Sequence, residues 1–406
     1  MNKNKIINDP VFGFITIPNA FLYDLIQHPY FQRLNRIKQL GVAYFVYPGA
    51  QHTRFQHSLG AMYLMNETIK QLRFKEQDIS DMEATGLLSA ILLHDIGHGP
   101  FSHVLEHTLT KGISHEDITL MLMQKINAEY HEDLDIAIQI FNNQYSRKFM
   151  HQLVSGQLDM DRLDYLRRDS FFTGVTEGSI GSARIIKMLN VKDDKLVVEA
   201  KGIYSIENFL IARRFMYWQV YLHKTSVAAE KLLIKILERA QFLCSQGEKL
   251  FAVPALSYFI QQNITKDMFM TNDDAIKNFI ALDDSDLISA IKIWVNHSDI
   301  VLSTLSQAFV NRKLFKVKRQ ELSEDIKADL IKNYVKHFKI SPHDASYFFD
   351  IEPLSTSATY HRGSDQILIL ANNKSVIDIT DASDMLDINI LDKTVTKNYF
   401  CYYPIG

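Results

Sequence analysis

Leu92-Leu93-His94-Asp95-Ile96-Gly97-His98-Gly99-Pro100-Phe101-Ser102-His103 is the stretch from which the fold is read. The apolar run from Gly86 to Leu93 predicts a helix that delivers His94-Asp95 to its C-terminal end. Gly97, Gly99 and Pro100 then break it. Packing alone gives no reason to place three histidines and one aspartate in the ten residues from His94 to His103. Neutral imidazole and carboxylate are donors that hard or borderline divalent cations accept. Two outlying stretches carry the same residue types, His52-Thr53-Arg54-Phe55-Gln56-His57-Ser58 and Leu158-Asp159-Met160-Asp161-Arg162-Leu163-Asp164-Tyr165. His57, His94, Asp95 and Asp161 are the candidate ligands, a set whose charge balances a divalent ion and leaves room for water and phosphate oxygens.

The chain has 406 residues, 47% hydrophobic and 22% charged, enough for two or three domains with a substantial core. A net charge of −3 supplies no electrostatic footprint for general nucleic-acid binding. Cys244 and Cys401 are the two cysteines; they exclude a disulfide framework and suit a reducing cytoplasm, where the protein is expected. Met1-Asn2-Lys3-Asn4-Lys5 leads into no signal-peptide pattern, and no run of about 18 apolar residues predicts a membrane span.

Alternation over 5–17 predicts a short hairpin. Helices are expected from Asn19 to Ile26, from Pro29 to Leu40 and from His52 to about Leu72. Further helices are expected from Ser80 to Leu93, from a Ser114/Asp117 capping box to Ile126, and over 131–141, 145–155 and 158–169. Gly174, Gly178 and Gly181 mark an open loop, 195–200 a strand, and Ile206–Cys244 a long helix broken near Ser226. Residues 253–338 read as interrupted helix, and β-favouring runs follow at 366–370 and 397–403. The expected fold is mainly α: a helical core over 1–338, with its catalytic motifs in 39–224, and a small α/β lobe over 339–406.

Within the motifs, His98 follows His94 by four residues, so the turn returns it toward the metal. His103 and Glu106 are three apart, a spacing that lets the carboxylate hold the tautomer of an imidazole acting as general acid. His115 reads either as a phosphate contact or as an exposed residue at a helix start. Asp161, Tyr165 and Asp169 share one helical face, and Arg213, Tyr217, Tyr221 and Lys224 make a comparable stripe that would meet polyphosphate and sugar.

These segments resemble the deoxynucleoside-triphosphate triphosphohydrolases related to the vertebrate SAM-and-HD-domain protein, within the HD-type metal phosphohydrolases. The ligand pattern is H…HD…D, here His57, His94-Asp95 and Asp161. The resemblance also covers Phe31-Gln32-Arg33-Leu34, Ile37-Lys38-Gln39-Leu40-Gly41, Pro48-Gly49-Ala50, Arg168-Asp169, Val220-Tyr221-Leu222-His223-Lys224 and Arg312-Lys313-Leu314-Phe315-Lys316. It implies a helical HD core and metal-assisted attack at the α-phosphorus of a dNTP, releasing deoxynucleoside and intact triphosphate. It places Gln39 and Leu40 near the sugar, with Tyr221 crowding a 2′-hydroxyl. Arg54, His98, His115, Arg162, Lys224 and Arg213 face the triphosphate, and Tyr165 and Asp169 bound the sugar and its 3′-hydroxyl. It also implies one divalent ion (Mn, Fe, Mg, Zn or Ni), a further Mg with the nucleotide, and a homo-oligomer, dimer or tetramer.

The chain departs from the family at several positions. No sterile-alpha-motif domain is expected ahead of Asp9-Pro10. Gln27 and Asn35 stand where an Asp and an Arg bind activating guanine nucleotide, although Lys5, Arg312 and Lys316 keep a nucleotide effector open. Tyr217 replaces a His, and Glu106 a shorter Asp. Two other readings stand beside the first: a phosphohydrolase of another nucleotide or phosphoester, and a non-catalytic nucleotide sensor. Cyclic-dinucleotide hydrolysis is disfavoured because no further His-His cluster follows the doublet in sequence.

Overall fold

The helix that carries the doublet, Asp81–Leu93, has its apolar residues buried almost all round, from Leu87 to Leu93. A helix apolar on every face belongs in a core. Ser80 and Glu83 close its N-terminus as a capping box, and His94 is its C-cap residue. It packs between the Arg54–Phe74 and Asp135–Phe141 helices, and Arg54–Phe74 also packs on Met160–Thr173. The metal-ligand candidates therefore come from the Arg54–Phe74 helix and from two segments packed on it, the C-terminal end of Asp81–Leu93 and the start of Met160–Thr173. We describe this architecture from a computed structural model covering residues 5–131, 133–319, 323–356, 360, 366–383 and 395–405.

Most expected elements are present. Ile6–Asp9 and Gly13–Thr16 form the antiparallel hairpin, and Asn19 caps Ala20–Gln27 by accepting from Leu22 N at 2.9 Å. The Ser114/Asp117 box opens His115–Glu129. Helices Asp135–Phe141, Lys148–Val154 and Met160–Thr173 follow, the last ended by Gly174 at φ 74°.

The expected helix from Pro29 to Leu40 is corrected. The α-helix stops at Gln32, a 3-10 turn covers Arg33–Arg36, and the chain then extends. Arg33 is wholly buried and donates to the carbonyls of Ile96 (3.0 Å), His98 (2.7 Å) and Phe279 (3.3 Å). Beyond it, Gln39 N donates to His52 O and Arg54 N to Ile37 O, both at 3.0 Å. Tertiary hydrogen bonds override helical propensity here.

The structure departs from the expected elements at three further places. The open loop after Gly174 holds a 3-10 turn, Thr176–Gly178, and a helix, Ser182–Met188. Leu189–Lys192 pairs with the expected strand Lys195–Glu199, and Asp193 and Asp194 turn the hairpin at φ 51° and 57°. The long helix breaks earlier than Ser226: Ile203–Met216 passes into a π turn at Tyr217–Tyr221, and Lys224–Ser245 restarts with His223 as N-cap. Lys316–Arg319, inside the stretch expected to be helical, is a strand.

The later strands complete sheets begun earlier in the chain. Leu368–Leu370 pairs in parallel with Lys195–Glu199 and antiparallel with Val376–Asp378. Val395–Tyr402 lies between Lys316–Arg319 and Phe349–Thr356. No helix among the described residues is long and apolar enough to cross a membrane.

Candidate metal centre

His57 stands in the first turn of Arg54–Phe74, a helix opened by Thr53 N donating to Gln56 Oε1 at 2.9 Å. Its Nε2 lies 3.2 Å from His94 Nε2 and 3.1 Å from Asp161 Oδ1, with His94 Nε2 3.5 Å from Asp161 Oδ1. Donors about 2.1 Å from one ion lie roughly 3 Å or a little more from each other, so this triangle has the right size for one divalent metal. Asp95 lies at its edge, Oδ1 3.3 Å from His94 Nε2 and Oδ2 3.8 Å from His57 Nε2. Arg54 Nη1 donates to that Oδ2 at 2.6 Å.

Both imidazoles are turned by hydrogen bonds on the far nitrogen. His94 Nδ1 donates to Ile91 O at 2.6 Å, and His57 Nδ1 to Asp164 Oδ2 at 2.7 Å. Asp164 is gripped by Arg168 (2.9 and 3.0 Å), which also donates to Asp9 Oδ2 at 2.7 Å. A carboxylate behind each metal-facing histidine, or a carbonyl, fixes the tautomer and raises ligand basicity. Gly60 makes room for this chain: a Cβ there would lie 1.9 Å from Asp164 Oδ1. Burial opposes a charged His57, but hydrogen bonds to Asp161 and Asp164 hold its pKa up to about 10. So anionic a buried cluster calls for a cation, and its donors fit a divalent metal.

A second group forms beside Asp95. His98, Glu106 and His115 each bring a ligand-type atom within 4.8 Å of the others. The fold thus supplies the His-His cluster that the sequence order did not display. Gly97 permits it, since a Cβ would lie 2.1 Å from His115 O and 2.4 Å from Thr119 N. Thr119 Oγ1 accepts from Gly97 N and donates to His94 O, both at 3.0 Å. The two rings are stacked, 3.9 Å apart and 17° from parallel. Their in-plane lone pairs therefore run side by side and do not converge, a geometry for proton handling or anion contact. His98 Nε2 lies 3.3 Å from Asp95 Oδ1, and its Nδ1 is buried with no hydrogen-bond partner among the described residues. Burial and nearby Arg54 push the His98 pKa well down, whereas Glu106, 2.9 Å from His115 Nδ1, raises that of His115 against the opposing effect of burial. Glu106 was expected to orient His103; His103 lies in Ser102–Thr108, but its side chain is outside the described residues.

Asp161, Tyr165 and Asp169 do share a helix, and Tyr165 and Tyr221 meet edge to face at 6.0 Å. Tyr217 meets Tyr221 at 5.3 Å and lies 5.8 Å from the Arg213 guanidinium. Arg213 is buried with Nε and Nη1 unpaired among the described residues; Arg162 pairs with Asp159 and leaves Nε unpaired. Gln39 has a buried, unpartnered Oε1, and Leu40 precedes the 3-10 turn Gly41–Phe45. Lys224 begins its helix and is exposed. Of the candidate effector contacts, Lys5 lies over the Tyr23 ring at 5.2 Å, Arg312 donates to Phe45 O at 2.7 Å, and Lys316 is exposed on its strand. Sequence reasoning gave no role to His52, Asp164 or Asp9. The first two stand inside quoted motifs, and that position was the available signal.

Comparison with known proteins agrees with this geometry. A family described as HD domain matches residues 54–169, and one described as HD associated region matches 180–247. An uncharacterized Bacillus subtilis protein, YwfO, is 30% identical over 420 residues, covering 100% of this chain and 93% of that protein. The Dictyostelium discoideum homolog of deoxynucleoside triphosphate triphosphohydrolase SAMHD1 is 32% identical over 261 residues, covering 59% of this chain and 50% of that protein. A crystal structure of a phosphohydrolase from Bacteroides thetaiotaomicron superposes with a TM-score of 0.96 at 57% identity, covering 98% of this chain and 100% of that one. The chain belongs to the HD-domain family that includes the SAMHD1-like triphosphohydrolases and is an HD-superfamily phosphohydrolase.

Proposed function

We propose that the protein hydrolyses deoxynucleoside triphosphates to deoxynucleoside and intact triphosphate. The observation that carries the reading is one helix, Met160–Thr173, bearing Asp161 in the imidazole triangle and Asp169 among Tyr221, Tyr165 and His52. A phosphate placed at the first residue sets an attached sugar toward the second. His57, His94 and Asp161, with Asp95 beside them, would hold the divalent ion, which supplies Lewis acidity for phosphoryl transfer. A water oxygen bonds to the α-phosphorus and releases a proton to solvent as the bond from phosphorus to the sugar 5′-oxygen breaks, and the 5′-oxygen takes a proton.

His115, whose pKa Glu106 raises against the opposing effect of burial, is suited to give that proton, and His103 is a candidate for the same task. The unpaired N–H groups of Arg213 and Arg162 suit the triphosphate anion. The reading includes a homo-oligomer and a nucleotide effector near Lys5, Arg312 and Lys316. It also keeps the division of the chain into 1–338 and 339–406.

The test is product analysis with Mn or Mg, each dNTP alone and in mixtures, with Asp161→Ala as control. Deoxynucleoside plus intact triphosphate, lost in the control, is the expected result. Turnover only in mixtures would identify an effector. Stepwise release of phosphate, or metal-replete protein that binds dNTPs without turnover, would overturn the reading.

A further inference from the structure

Asp169 is a wholly buried carboxylate held from two sides. His52 Nε2 lies 2.8 Å from Oδ1, and the Tyr221 hydroxyl donates to Oδ2 at 2.7 Å. The His52 side chain is itself fully buried, and its ring lies on Phe172 with centroids 4.5 Å apart and planes 17° from parallel. Its backbone carbonyl accepts from Gln39 N at 3.0 Å, so His52 and Gln39 are neighbours across two extended segments. His52 Nδ1 and Gln39 Oε1 are both buried without a hydrogen-bond partner among the described residues. Stacking, the carboxylate and the backbone pairing together leave the imidazole one orientation.

We propose that His52 is a specificity-determining positioning residue: with Tyr221 it fixes Asp169 as the acceptor that selects substrates carrying a sugar 3′-hydroxyl. This rests on the deoxynucleotide reading above and deepens it. An ionised carboxylate has about four lone-pair sites, and the two protein donors occupy one on each oxygen. The remaining sites can only accept, so the group that completes them must donate, as a hydroxyl does. Both oxygens are pinned, so Asp169 cannot rotate to find another donor. A sugar lacking the hydroxyl leaves a buried carboxylate underpaired, and sites of this kind reject such analogues strongly.

The test compares kcat/KM for a dNTP that the wild type cleaves with that for its 2′,3′-dideoxy counterpart, in wild type, His52→Phe and His52→Gln. Melting temperature and bound metal are measured for each protein. His52→Phe keeps a ring on Phe172 and removes the N–H. It should lower kcat/KM for the dNTP by about ten- to a hundredfold while changing the dideoxy value by less than about threefold. His52→Gln, which restores an N–H near the same place, should recover most of the lost discrimination. If His52→Phe does not fold, His52→Asn, whose shorter side chain withdraws the N–H, should show the same collapse. An equal fall for both substrates without rescue by Gln would overturn the proposal, as would a wild type indifferent to the 3′-hydroxyl. A wild type releasing triphosphate from no dNTP would instead overturn the deoxynucleotide reading, and this assignment with it.

Discussion

Around Asp95 the molecule places paired imidazoles twice. On one side the His57 and His94 nitrogens face each other across 3.2 Å with Asp161 closing a triangle. On the other, His98 and His115 lie ring against ring at 3.9 Å, with Glu106 on the outer nitrogen. The residue types are the same and the chemistry differs because of orientation. Imidazole binds a metal along its in-plane lone pair, so the edge-to-face rings at 76° can point at one ion, whereas rings stacked face to face at 3.9 Å and 17° carry their lone pairs side by side. Burial does not separate the two sets: each holds one buried histidine, His57 or His98, and Asp161 keeps 27% of its side-chain exposure against 28% for His115 and Glu106. A convergent set suits a resident cation, and a stacked pair suits proton exchange.

The comparison breaks most sharply if the two sides respond alike to loss of a side chain. Asp161→Ala should lose bound metal and reduce turnover by about a thousandfold or more, since a catalytic metal contributes several kcal/mol to the barrier. His115→Gln should cost on the order of 10²–10⁴-fold in kcat yet keep its metal. Metal analysis of the two purified variants beside their rates checks both; loss of metal in His115→Gln would place the stacked pair in the metal shell.

A smaller effect probes the support behind the triangle. Gly60→Ala drives a methyl into the Asp164–Arg168 pair, where the Cβ would lie 2.2 Å from Arg168 Nη2. Disturbing a buried ion pair costs about 3–5 kcal/mol, and loosening a histidine's hydrogen-bond partner costs about 10–100-fold in metal affinity. Thermal melting and metal titration should show both losses, with the His98–His115 side unchanged.

The smallest effect concerns pH. The Glu106 carboxylate raises the His115 pKa, so the imidazolium persists to higher pH with it than without it. If His115 acts as the acid, activity is present below its pKa and is lost as pH rises through it. Glu106→Gln should therefore move the alkaline limb of the kcat profile to lower pH. An unmoved limb would assign that ionisation elsewhere.

Local pattern made much of the molecule legible. Capping at Asn19, Ser80 and Ser114 and the apolar run to Leu93 are interactions among near neighbours, and they appear where the residues predict. The candidate triangle was also readable, because its donor types stand in compact motifs at helix ends. The misread helix after Pro29 shows the limit. Its propensity was real, but Arg33 is committed to carbonyls as far away as Phe279, and no local pattern announces that. Lys316–Arg319 is similar: it is a strand because Val395–Tyr402 lies beside it.

By itself, then, the amino-acid sequence determined which residues could carry metal and phosphate chemistry, and the helices that bear them, since both follow from residue type and short-range spacing. The tertiary structure decided what each group does. His57 is tied through Asp164 and Arg168 to Asp9, 159 residues before that arginine, and His52 meets Asp169 across 117. Whether two imidazoles converge on one point or lie flat against each other is set by how the helix ends and the turn that carries His98 are held together. That placement comes from the whole core, because directional lone pairs and buried charges depend on distances that only packing fixes.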